Sequence, residues 1–110
     1  MVRASALKKR YILFETKSDK ELSEQDVKHG IYNESLKFFG EFGLSKISLK
    51  FIEFDGKNQT AIFRCARDHY KDVLGFLALV NSLNGKKART IAKRASGTIR
   101  SLKSKKSTSA

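Results

Sequence analysis

Lys46-Ile47-Ser48-Leu49-Lys50-Phe51-Ile52-Glu53-Phe54, then Asp55-Gly56-Lys57-Asn58, then Gln59-Thr60-Ala61-Ile62-Phe63-Arg64-Cys65-Ala66, is the stretch that decides the fold. Ile47, Leu49 and Phe51 alternate with Ser48 and Lys50, a period of two that suits a strand with one face buried. The Asp-Gly pair supplies a turn, and Thr60–Ala66 returns as a second β-branched and aromatic run, so the segment reads as a β-hairpin. Upstream, Ser23 with Asp26 three residues on marks a helix start, and Gly40 and Gly43 mark its end, which predicts a helix over 24–40. Before it stands Arg10-Tyr11-Ile12-Leu13-Phe14-Glu15-Thr16, a strand whose continuous apolar centre suits the middle of a sheet. Downstream, Asp68 is expected to cap a helix through Tyr70, Val73, Leu74, Leu77, Val80 and Leu83, stopped by Asn84-Gly85. A last strand is expected over Lys87–Ala95.

The order β-α-β-β-α-β within 110 residues predicts an α+β domain of the ferredoxin-like, split β-α-β kind. In it, a four-stranded antiparallel sheet has its first and third strands central and both helices on one face. The domain spans 8–102, with a basic arm at 1–7 and a basic tail at 103–110 whose Lys, Ser and Thr offer no apolar anchor and predict disorder. Both helices are apolar over half their circumference or more, a wider arc than packing on one sheet requires. Either each helix also packs on its neighbour, or the surplus surface docks a protein partner.

Charge narrows the function. Residues 1–14 carry four bases and no acid, residues 73–110 nine bases and no acid, and the stretch between them is nearly neutral, for net charges of +4, −1 and +9. A surplus gathered at both ends makes a concentrated positive field if the fold brings the ends together, and points to a polyanion, nucleic acid foremost. One cysteine, Cys65, excludes an intramolecular disulfide and a thiolate metal cage, fits a reducing compartment, and reads as a small buried hydrophobe. No run suits a membrane span or a secretory signal, so a soluble intracellular protein is expected. His29 and His69 lie on different predicted helices outside any metal-ligand or triad spacing, and the acids Asp19, Glu21, Glu24 and Asp26 are explained by the helix start. Catalysis by the chain itself is not expected, nor is a cofactor. A small phosphate-binding hydrolase of the same fold would need a glycine-rich anion loop after the first strand, where Thr16-Lys17-Ser18-Asp19-Lys20 stands instead.

RNA-recognition motifs share the predicted fold and stack bases on three aromatics of the third strand, but Gln59–Ala66 carries one, Phe63. The bases are therefore expected to hold phosphates and the shape of structured RNA. The candidate RNA-binding set is Arg3, Lys8, Lys9, Arg10, Arg64, Arg67, Lys86, Lys87, Arg89, Lys93, Arg94, Ser96, Thr98 and Arg100. Within it, Gly97 lets the chain bend, and the hydroxyls of Ser96 and Thr98 can cap a following turn or contact phosphate.

Four stretches in order carry a resemblance: Arg10–Glu15; Ile62-Phe63-Arg64-Cys65-Ala66-Arg67; Leu77-Ala78-Leu79-Val80; and Ser96-Gly97-Thr98-Ile99-Arg100. Over about residues 8 to 102 the chain resembles the archaeal and eukaryotic ribonuclease P proteins related to component 2 of the archaeal enzyme. The resemblance implies a noncatalytic subunit of a ribonucleoprotein whose RNA, with Mg2+, removes the 5′ leader of precursor tRNA. It implies as partners ribonuclease P RNA, precursor tRNA and the barrel-shaped protein of component 3, in a two-plus-two assembly. It also implies a cytoplasmic location in an archaeal setting or a nuclear and nucleolar one in a eukaryotic setting. A ribosome-associated or general binder of structured RNA is the alternative that composition allows equally.

Overall fold

The apolar run within Arg10–Thr16 occupies the centre of a sheet in the computed structural model of the chain, which describes residues 8–102. Strand β1 (Lys9–Ser18) pairs antiparallel with β3 (Thr60–Ala66) on one side and with β5 (Lys86–Ser96) on the other. Strand β2 (Lys50–Asp55) lies outside β3, and β4 (Ser82–Leu83) outside β5, giving the order β2-β3-β1-β5-β4. The first and third strands are inside the sheet, as their sequences require. Among the described residues the sheet has five strands, not the expected four.

The fifth strand arises where the second helix stops early. Helix α2 (Tyr70–Leu79) ends four residues before Leu83, and Asn84 and Gly85 both take positive φ, 54° and 81°. Two consecutive left-handed residues are what a two-residue hairpin turn demands, so Asn84-Gly85 joins β4 to β5 and does not terminate a helix. A single 3-10 turn, Arg67–His69, precedes α2; Asp68 lies within it, and the N-cap of α2 is His69, without a side-chain cap.

Helix α1 (Glu24–Ile47) begins where Ser23 and Asp26 form a reciprocal capping box. It does not stop at residue 40. Gly40 has φ 77°, which kinks the helix, and a second helical segment runs on to Ser48, whose left-handed cap N–H donates to the Leu44 carbonyl at 3.0 Å. Ile47 is therefore a buried helix residue, and β2 starts at Lys50, not at Lys46.

Alternation along β1 and β3 sends Ile12, Phe14, Ala61, Phe63 and Cys65 to the side of the sheet that both helices cover. There they meet Val27 and Ile31 of α1 and Val73, Phe76 and Leu77 of α2. Phe14 and Phe63 pack with ring centroids 5.5 Å apart, and the Thr90 hydroxyl of β5 donates to the Leu77 carbonyl. Gly30 lets α1 come close to the β4–β5 hairpin, since a Cβ there would sit 2.9 Å from the Asn84 nitrogen and from the Leu83 Cβ. Cys65 is buried in this core, and burial pushes its thiol up to about 11, so it packs as an apolar group. Four large side chains of the two helices stay more than half exposed: Tyr32, Phe38, Phe42 and Leu79.

Candidate nucleic-acid interface

Directly paired residues of antiparallel strands project to the same side, so the register fixes what the face away from the helices carries. On β1 these are Tyr11, Leu13, Glu15 and Lys17; opposite them stand Arg64 and Ile62 of β3, and Ser96, Arg94, Ile91 and Arg89 of β5. Lys9 lies on the same face of β1, Lys50 faces Arg64 from β2, and Lys87 follows from its place beside the inward-facing Ala88. A bulge on β5 between the partners of Leu13 and Phe14 adds Lys93, which reaches Glu15 Oε1 at 3.2 Å.

The register also places Glu53 and Asp55 of β2 on this face, opposite Ile62 and Thr60, so with Glu15 it carries three acids, which its bases outnumber. Glu15 is flanked by Lys93 and by Lys17 at 3.4 Å, and the hydrogen bond from Lys93 holds its carboxyl below the ordinary value. Arg64, Arg89, Arg94 and Arg100 make no ion pair among the described residues, and the Arg64 Nε is buried without a hydrogen-bond partner. Guanidinium groups left unpaired over a sheet have their forks free for phosphate oxygens.

At the centre of the face the chain closes over itself. After β5 a bend at Gly97 leads into a helical turn at 99–102. Thr98 caps it, its Oγ1 accepting from the Ser101 N–H at 3.1 Å, and the Thr98 N–H donates to Ser96 Oγ at 3.4 Å. Leu102 is fully buried against Leu13 and Ile62, with Tyr11 and Ile52 packed beside them. The turn thereby brings Arg100, exposed, to the sheet.

Of the residues expected to hold RNA, Lys9, Arg64, Lys87, Arg89, Lys93, Arg94 and Ser96 share the outer face, and Thr98 and Arg100 belong to the turn seated on it. Lys8 and Arg67 meet at one end of the sheet, where the Arg67 N–H donates to the Lys8 carbonyl at 3.0 Å. Arg10 lies on the helix side with Cys65, its guanidinium 5.0 Å from the centre of the Tyr70 ring, so packing engages it. Arg3, with the arm 1–7 and the tail 103–110, lies outside the described residues. The same face also carries Tyr11, Lys17 and Lys50, which are not in the set read from the sequence. Carrying the β1 alternation two residues past Glu15 finds Lys17.

Lys86 has a structural task. Its Nζ lies 2.8 Å from Asp26 Oδ2, and Asp26 also accepts from Asn84 Nδ2 at 2.9 Å and from the Ser23 N–H at 3.0 Å. The start of α1 is thus tied to the β4–β5 hairpin. The Lys86 hydrogen bond, with the Ser23 backbone and Asn84 behind it, holds the buried Asp26 carboxyl well below its ordinary value of 3.8. A carboxyl depressed on folding adds stability above its unfolded pKa, lost as pH falls through the folded one. Asp26→Asn should therefore cost about 2 kcal/mol near neutrality through the weakened cap and charge-assisted bonds. In urea titrations the gap to wild type should narrow as pH drops below about 4; a gap constant down to pH 2 would contradict the assignment.

His69 Nδ1 lies 3.4 Å from Asp72 Oδ2 on the surface, and among the described residues no group of His, Cys, Asp and Glu is placed to hold a metal ion. No helix among them is long and apolar enough to cross a membrane.

A model of the Rpp14/Pop5 family matches residues 10–106. Ribonuclease P protein component 2 of Pyrococcus furiosus is 42% identical over 98 residues, covering 89% of this chain and 82% of that protein. The protein of the same name from Methanocaldococcus jannaschii is 36% identical over 98 residues, covering 89% and 72%. A chain in a cryo-EM structure of yeast ribonuclease MRP has the same fold, with a TM-score of 0.67 over 94% of each chain at 10% identity.

Proposed function

Because the chain belongs to the Rpp14/Pop5 family, we propose that it is a protein subunit of ribonuclease P that binds and supports the RNA which removes the 5′ leader of precursor tRNA. The observation that carries this reading is the outer sheet face, where arginines from two strands make no ion pair among the described residues and stand beside a seated basic turn. Such a surface suits the phosphates of a folded RNA, and the chemistry of cleavage, with its Mg2+, belongs to that RNA. The exposed Tyr32, Phe38, Phe42 and Leu79 lie on the helices, across the sheet from the basic face. They suit docking of a protein partner, for which the barrel-type ribonuclease P protein of component 3 in a two-plus-two assembly is our choice.

Reconstitution tests the proposal. The purified chain alone should leave precursor tRNA intact, and should raise leader removal by the cognate catalytic RNA when the partner protein is added. Leader removal by the protein alone, abolished by a point substitution in it, would overturn the proposal, as would preferential recovery of ribosomal RNA with the tagged protein from its native cells.

A further inference from the structure

Four of the five aromatic side chains on the long strands face the helices: Phe14, Phe51, Phe54 and Phe63 belong to the helix-side core or pack against it. Tyr11 faces the other way. It stands on the central strand between Arg64 of β3 and Ser96 of β5, and the next outward pair along the strand is Leu13 with Arg94. On its flank the turn at 99–102 forms a wall that includes the buried Leu102. The phenol is only partly buried, and Arg64 carries the unsatisfied Nε. A ring backed by aliphatic side chains, walled by a turn and bracketed by two unpaired guanidinium groups, is suited to one flat, anionic guest.

We propose that Tyr11, Arg64 and Arg94 form a seat for a single unpaired nucleotide of a structured RNA, the base against the Tyr11 ring and its phosphates on the two arginines. The inference rests on the reading of the outer face as the RNA surface, and makes it more specific. One ring accommodates one base, in contrast to the series of stacked bases held by several aromatics in single-strand binders. The neighbouring outward side chains Leu13, Ile62 and Leu102 offer no second π face, so the bases before and after the guest stay in their helices while phosphates meet Arg89, Lys87 and Lys50. A bulge or a helix junction presents such a nucleotide.

The probe is a pair of RNA hairpins, one fully paired and one with a single-nucleotide 2-aminopurine bulge, titrated against the full chain at several salt concentrations. The wild type should favour the bulged hairpin about tenfold, within the range of one base stacked on one aromatic, and quench its fluorescence. Tyr11→Phe should keep both effects. Tyr11→Leu, which retains apolar contact with Leu13 and Leu102, should lose both while binding the paired hairpin as the wild type does, and thermal melts confirm that each variant is folded. Equal binding of the two hairpins by the wild type, or a preference that survives in Tyr11→Leu, would overturn the seat while leaving the basic face as an RNA surface. Failure of both hairpins to bind in a salt-dependent way would remove the RNA reading of the face, and the seat with it.

Discussion

Replacing Arg64, Arg89, Arg94 and Arg100 together by glutamine should lower affinity for structured RNA by about 10²–10³-fold at moderate salt and leave the fold intact. For every phosphate deprived of its arginine, the slope of log affinity against log salt should fall by roughly 0.7–0.9, so four such phosphates flatten it by about three units. The structure chooses these four. Lys93 is already engaged by Glu15, Lys86 by Asp26 and Arg10 by Tyr70, so each gives up an existing interaction before it can serve a phosphate. Among the described residues the four arginines have no ion pair to break. Filter binding from 50 to 200 mM salt reads the slope directly. A quadruple variant with wild-type slope would show that RNA meets another surface.

The second large effect is on stability. Phe14→Ala should cost about 3–5 kcal/mol, because the ring is fully buried between the helix layer and Phe63, and its removal leaves a cavity the rigid sheet cannot close. For a domain whose total stability is on the order of 5–15 kcal/mol, that moves the urea midpoint by about a fifth of its value or more. Phe42→Ser, at 75% exposure on α1, should change it by less than about 0.5 kcal/mol. Equal shifts from the two substitutions would mean that Phe42 is covered in solution, as by self-association through the helix face.

How far the sequence foretold this arrangement depends on the element. The central place of β1 was legible in its unbroken apolar run, and the start of α1 in the Ser23–Asp26 spacing, because both signals are local and have one physical meaning. The end of α1 was not, since Gly40 can stop a helix or kink it and only packing decides; Ile47, buried in the core, settles the matter in favour of continuation. The Asn84-Gly85 pair was ambiguous in the same way, and its meaning as a hairpin was masked because Ser82–Leu83 is too short to show a period. At the candidate site, composition located the basic residues but not their sides. That Arg10 turns to Tyr70 while Lys9 turns outward is fixed by the register against β3, a pairing between residues far apart in the chain.

The position of β1 also bears on how the chain is made. It is synthesised before both of its neighbours: Tyr11 pairs with Arg64 on one side and with Ser96 on the other. At synthesis rates of about 5–20 residues per second, roughly 4–17 seconds separate the appearance of β1 from that of the last strand that closes over it. During that interval an apolar strand waits with at least one edge open, which is the form most prone to pair with another chain. The pairings that complete the sheet span most of the sequence, so loop closure, not local structure, sets the pace of folding. The risk of misassembly therefore falls in those few seconds, before β5 is available.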